Sequence, residues 1–230
     1  MQVLSQFHDL ILCIISALEA RDPYTSHHSS RVAEMTETIC ELMGLDEEEK
    51  EIYHIAAHLH DIGKIGIRDN VLLKEGKLND EEWKIMKSHS EQGYNILMNA
   101  KSFEVVADVV RSHHERYDGK GYPDGLKGED IPLGARIIAI ADSIDAMISD
   151  RPYRKGMDTN VCKDQIEKNI GVMYDPSIAK KVIEHWDEVL RSREDESTKN
   201  LVLRKQVRKD GQTILRYQSR RCFSCRWKGC

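Results

Sequence analysis

The sequence predicts an all-α protein, and three observations carry that expectation. Apolar residues recur at i, i+3 and i+4 through one segment after another, which is the period of a helix face. Cap residues stand where those segments begin and end. No convincing alternating run appears before residue 200.

The elements follow in order. Residues 3–20 place Val3, Phe7, Leu10, Ile11, Ile14, Ile15 and Leu18 on one face. Residues 28–43 repeat the pattern with Val32, Met35, Ile39 and Leu42, and Gly44 supplies a C-terminal stop. Asp46 followed by Glu47–Glu49 reads as an N-cap with a dipole-matched first turn, opening a helix to about His60. Asn79 with Glu82 three residues on opens another, to about Ser88. Ser102 starts a helix carrying Val105, Val106, Val109 and Val110 to about His114. Pro132 opens the most apolar one, Ala135 to Ile148, which is expected at the centre of the core. Two more are expected over 158–169 and 176–192. The last stretch is different: 201–208 and 213–217 flank Asp210-Gly211, a hairpin turn signal.

The 230 residues hold 34 Lys and Arg against 39 Asp and Glu, a net charge of −5 that excludes a wholly basic nucleic-acid coat. That average hides a split, because residues 199–230 carry ten basic and one acidic side chain, leaving the body strongly acidic. A body over 1–195 and a basic tail over 196–230 are therefore expected. The most apolar run, Leu10–Ala20, is shorter than the roughly 18–20 residues a membrane helix needs. MQVLSQFHD lacks the basic start of a signal peptide, so the expectation is a cytoplasmic protein with no membrane contact. Cys13, Cys40 and Cys162 sit singly on helical patterns as small hydrophobes. Cys222, Cys225 and Cys230 have no fourth ligand nearby and make a poor zinc site.

Glu115–Asp130, ERYDGKGYPDGLKGED, interrupts the helices with four glycines and a proline. Structureless loops of that length are often functional. Around it stand the histidines. His60-Asp61 and His113-His114 are adjacent pairs, each where a helical pattern ends. Neighbours within a helix diverge by about 100°, but at a terminus the backbone can turn both inward. His28, His89 and Asp142 follow at intervals of about one helix and a loop, so each would come from a different helix and converge in a bundle core. Imidazoles with carboxylates suit Zn, Mn or Fe rather than Ca. Asp142 lies inside RIIAIADSIDAMI, where a buried carboxylate needs a cation or several hydrogen bonds. Asp145, one turn on, is expected as a hydrogen-bonded structural partner.

HDIGK at 60–64, His89, HHERYDGKGYP at 113–123 and ADSIDAMISDRPYR at 141–154 resemble the HD-GYP family of metal phosphohydrolases. DPYTSHHSSRV at 22–32 is similar to that family's opening segment, and the resemblance runs from about residue 8 to 190. It implies an HD-domain helical bundle and hydrolysis of cyclic di-GMP to pGpG, GMP or both. It also implies metal ligands His28, His60, Asp61 (bridging), His89, His113, His114 and Asp142. Members with a third ion use a Glu one turn before the first histidine; Tyr24 stands there, so two divalent ions, Fe or Mn, are expected. Two such ions make hydroxide available near neutral pH for in-line attack on the phosphorus.

Asp61 and Lys64 are the expected catalytic residues, Lys64 resembling the family lysine that faces the scissile phosphate. Gly121, Tyr122, Arg151 and Arg154 complete the expected substrate contacts, Arg suiting bidentate phosphate recognition. Gly119 and Gly121 are read as positions with backbone angles closed to other residues. Glu115 and Asp118 are expected to orient the histidines or the loop backbone. Placed cations are needed because the acidic body repels a dianionic ligand. His54, His58, His27 and His185 are read as packed or solvent-facing. Two other readings differ in class: a phosphodiesterase of another 3′,3′-cyclic dinucleotide, and a non-catalytic module binding cyclic di-GMP. No receiver or sensory domain is legible, so regulation is expected either to be lacking or to come from another protein, a diguanylate cyclase (GGDEF) or sensor protein being the candidates, with no nucleic acid as partner. Oligomeric state is left open.

Overall fold

The structure is a computed structural model, and it describes residues 8–21, 27–150 and 155–193. The regular structure among them is helical, with strand character confined to one isolated bridge between Ile170 and Tyr174. The all-α expectation holds. In chain order the helices are α1 (His8–Arg21), α2 (His28–Met43), α3 (Glu47–Leu59), α4 (Asp69–Leu72) and α5 (Asp80–Lys87). Then come α6 (His89–Leu97), α7 (Glu104–Ser112), α8 (Leu133–Ile148), α9 (Thr159–Lys168) and α10 (Pro176–Glu184). A last helix, α11, covers 186–193.

The caps form as the sequence indicates. Asp46 and Glu49, and Asn79 and Glu82, each make a reciprocal capping box at the start of α3 and α5. Gly44 ends α2 in the left-handed region at φ 74°, where a Cβ would be costly. α8 is the axis of the core: Ile137, Ile138, Ile140, Ala141 and Ile144 are all fully buried. Burying each of those isoleucines contributes roughly 1.5–3 kcal/mol of transfer free energy. α2 packs on both α3 and α8, and α7 on α3 and α6, so helices carrying candidate ligands surround one core.

Two departures from the sequence reading matter. The span 89–97 folds as α6, for which the sequence gives no start signal: Ser88 is itself helical (φ −69°, ψ −8°) and makes no side-chain cap. The expected single helix over 176–192 breaks at His185 (φ −112°, ψ 30°) into α10 and α11. Between α3 and α5, a 3-10 turn (Ile62–Gly66) and α4 form a small second core of Ile67, Val71 and Leu72 under Leu78, Ile85 and Met86. Arg21, at the end of α1, holds that turn with bonds to the carbonyls of Lys64 (3.1 Å), Ile65 (2.6 Å) and Ile67 and to Asp69 (2.7 Å). The expected C-terminal hairpin and the body–tail boundary lie outside the described residues, as do Arg151, Arg154 and Tyr24.

Candidate metal centre

Helix ends do the positioning. His28 is the first residue of α2, and His27 before it takes a left-handed conformation at φ 60°. That twist buries His28 and leaves His27 part-exposed. His60 closes α3, and Asp61 at φ −97°, ψ 6° turns out of the helix, so both side chains of the pair point inward. His89 opens α6, His113 closes α7 and His114 follows it, while Asp142 projects from the middle of α8.

These residues form two groups whose ligand atoms all lie within 4.8 Å of one another: His28, His60 and Asp142, and His89, His113 and His114. Asp61 stands between them. Its Oδ2 is 3.4 Å from His60 Nε2 and 3.9 Å from His28 Nε2, and its Oδ1 is 3.5 Å from His89 Nε2. One carboxylate thus turns one oxygen to each group. On the α8 side, Asp142 Oδ1 is 3.3 Å from His28 Nε2.

The outer faces of the rings decide which nitrogen is available. The Nδ1–H groups of His60, His89 and His113 donate to the carbonyls of Ala57 (2.7 Å), Met86 (2.8 Å) and Val110 (2.6 Å), each three residues back. A carbonyl only accepts, so the ring proton sits on Nδ1 and the Nε2 lone pair is exposed to the site. His89 Nε2 and His113 Nε2 then face each other at 3.3 Å with no proton between them, and His60 Nε2 is buried without a hydrogen-bond partner. Facing lone pairs and an orphaned buried acceptor are costly unless a cation joins them. The donor set therefore fits divalent transition ions.

Protonation agrees with that fit. Burial pushes His89 and His113 below the usual imidazole range and, with His89 alongside, takes His114 down to about 3, so all three rings are neutral at pH 7. Burial alone would raise Asp61, but the Lys64 ammonium beside it holds its carboxyl well below the usual range. Asp142 is likewise held low against burial, by its bond to His28. His28 differs: burial opposes its charge, yet hydrogen bonds to Asp142 and Asp145 raise it to about 9. An ion taken up there would displace a proton.

A family comparison decides the assignment, since the HD-domain family matches residues 13–178. The chain belongs to the HD-domain family. The HD-GYP resemblance stands with it. The chain is 45% identical over 162 residues to the cyclic di-GMP phosphodiesterase response regulator RpfG of Xanthomonas campestris, covering 70% of this chain and 43% of the relative. It is 38% identical over 187 residues to 3′3′-cGAMP-specific phosphodiesterase 2 of Vibrio cholerae, covering 80% and 36%. In fold it is similar to the crystal structure of a cyclic GMP-AMP-specific phosphodiesterase of V. cholerae, with a TM-score of 0.63 and 20% identity over 80% of this chain and 49% of that one. The chain spans well under half the length of the two curated relatives. HD-domain phosphohydrolases depend on metal, and the two His/Asp groups are this chain's candidates for holding it.

At the mouth, Lys64 Nζ donates to Asp61 Oδ2 at 2.7 Å. Tyr122 lies tilted against His114 with ring centroids 4.8 Å apart, and Lys87 Nζ sits 5.7 Å from the Tyr122 centroid. Glu115 and Asp118 act on the loop backbone, where Glu115 Oε1 accepts from the amides of Asp124 (2.7 Å) and Gly125 (2.9 Å). Asp118 accepts from Arg116 (2.8 Å) and the Lys120 amide (3.1 Å). The loop glycines need one correction. Gly119 does take a positive φ of 79°, but Gly121 is required for space: a Cβ there would lie 2.4 Å from Arg116 N and Glu115 Cα.

His54 and His58 pack against each other at 4.7 Å and belong to neither group. Sequence reasoning missed Lys87, Arg31 and Arg193; the arginines bond Asp145 from distant segments (2.7 and 2.8 Å). Their only sequence signal was the buried Asp145 itself, which demanded partners without naming them.

Proposed function

We propose that this chain is a metal-dependent phosphodiesterase that opens a 3′-5′ phosphodiester of cyclic di-GMP, giving pGpG, GMP or both. The observation that carries the reading is Asp61, a single carboxylate shared by two histidine-rich groups, which suits a pair of ions and in-line phosphoryl chemistry. His28, His60 and Asp142 would hold one ion, His89, His113 and His114 the other, and Asp61 both; Fe and Mn suit the donors. When bound, the ions make water a usable nucleophile near neutral pH and offset charge on the phosphoryl oxygens.

The chain's own residues do the rest. Lys64, 2.7 Å from Asp61, places an ammonium beside the site of attack. Tyr122 offers a ring face for a guanine at the rim of His114. Gly121 lets the loop fold back closely enough to present Tyr122, and Arg151 and Arg154 are proposed as the further phosphate contacts. A diguanylate cyclase or a sensor protein is proposed as the regulatory partner.

A second substrate reading, 3′,3′-cyclic GMP-AMP, is favoured by the V. cholerae relative named for that nucleotide. Incubating the metal-loaded chain with each nucleotide and separating the products by chromatography distinguishes the two. Faster turnover of cyclic di-GMP is expected, preference for the mixed nucleotide favours the second reading, and turnover of neither with two ions bound defeats both.

A further inference from the structure

His60, His89 and His113 are each held by a carbonyl of the preceding helical turn. His28 opens α2 behind a left-handed His27, unlike His89, which follows α5 directly through a helical Ser88, so no preceding turn of α2 supplies such a carbonyl. Its Nδ1 instead bonds Asp145 Oδ2 at 2.7 Å, from 117 positions away. Asp145 is almost fully buried, one turn beyond Asp142 on α8. Arg31 clamps it through Nε (2.7 Å) and Nη2 (2.9 Å), and Arg193 reaches it through Nε (2.8 Å). The other arm of Arg193 bonds Ser149 Oγ at 2.8 Å, and Ser149 Oγ lies 3.2 Å from Asp145 Oδ2. Arg31 comes from the same helix as His28, one turn along, and moves with it. Arg193, in α11, fixes the carboxylate from outside that helix.

We propose that Arg193 is a positioning residue for the His28 side of the metal centre: it holds Asp145, and through Asp145 the ring of His28. This inference rests on the two-ion reading above. Hydrogen-bonding partners behind a ligating histidine fix its ring orientation and basicity, and their loss costs metal affinity without removing a ligand. Only the group containing His28 should feel the change, because the rings of His89 and His113 are held by their own carbonyls.

The test is Mn2+ titration, by chelator competition, of the full metal-free chain and of Arg193→Ala, Arg193→Lys and Asp145→Asn. The native chain is expected to bind two ions. In Arg193→Ala one affinity should fall about ten- to hundredfold and the other less than about twofold. Arg193→Lys, which keeps the charge but cannot span Asp145 and Ser149, should fall between. In the metal-free protein, the downfield NMR resonance of the His28 Nδ1 proton should shift in Arg193→Ala while those of His60, His89 and His113 stay. Unchanged affinities with an unchanged His28 resonance overturn the proposal. So does parallel loss of both ions with a lowered melting temperature in both Arg193 variants, which would make Arg193 a general support of the fold. A native chain that binds no Mn2+ defeats the phosphodiesterase reading itself, whereas two bound ions and indifferent variants defeat only the role of Arg193.

Discussion

Gly63 sits where the turn carrying Asp61 meets the helix carrying His89. A Cβ built on it would lie 1.8 Å from the His89 carbonyl oxygen and 2.5 Å from the Gly93 amide nitrogen. Both obstacles are backbone, so neither can rotate away. Restoring ordinary contact requires the turn and the start of α6 to separate by roughly 1.6–2.2 Å. That displacement is large against the 3.5 Å between Asp61 Oδ1 and His89 Nε2. Gly63→Ala should cost about 1–3 kcal/mol of stability, the range for overpacking a tight contact. Misplacing a catalytic group by 1 Å can cost about a hundredfold in rate, so turnover should fall by at least that much. Gly66→Ala is the matched control. Its Cβ would also come within 1.8 Å of an atom, but that atom is Oε1 of the Gln92 side chain. Gln92 can swing aside for the loss of its 2.8 Å bond to Ser88 Oγ, about 0.5–1.5 kcal/mol. Thermal melts, Mn2+ content and turnover on both variants make the assay. Equal behaviour of Gly63→Ala and Gly66→Ala would refute the reasoning.

Other outcomes follow from the same geometry. His60→Ala should abolish ion binding and turnover together, while His54→Ala should leave both nearly unchanged; metal analysis beside product chromatography reads the contrast. Tyr122→Ala removes the ring stacked on His114 and should raise KM about tenfold, the scale of one aromatic contact, whereas Tyr122→Phe keeps most of the affinity. Asp175 is buried, caps α10 and pairs with Arg136 at 2.5 Å. Burial alone would raise its carboxyl, but bonds from Ser177 and Arg136 hold it below the usual range. A carboxyl lowered in the fold contributes stability that is present above its unfolded value, about 3.9, and is lost as pH falls through the folded one. Asp175→Asn keeps an acceptor for the cap but takes the charged partner from Arg136. It should destabilise the fold at pH 7 by about 1.5–3 kcal/mol, lowering the melting temperature, and by progressively less as the solution is acidified below pH 4.

The sequence made some of this legible and concealed the rest for physical reasons. α3 and α5 could be placed to within a residue because Asp46/Glu49 and Asn79/Glu82 write their capping boxes locally. α6 could not, since α5 runs into it through a helical Ser88 with no cap between them. The ligands could be listed from motif resemblance, and spacing alone allowed their convergence from separate helices. What spacing could not give was the division of labour at Asp61, one oxygen to each group, which depends on how the chain turns after His60. The Arg193–Asp145 bond spans 48 positions, and nothing near either residue announces the other. Gly121 shows a subtler failure: its residue type was read correctly, but the demand on it is space against Glu115 and Arg116 and not backbone angle.

The most direct measurement is anomalous diffraction from crystals of the full chain grown with Mn2+. Two peaks are expected, one on each side of the Asp61 carboxylate: the first among His28, His60 and Asp142, the second among His89, His113 and His114. A single peak, or peaks that leave Asp61 uncoordinated, would contradict a centre built around that shared carboxylate.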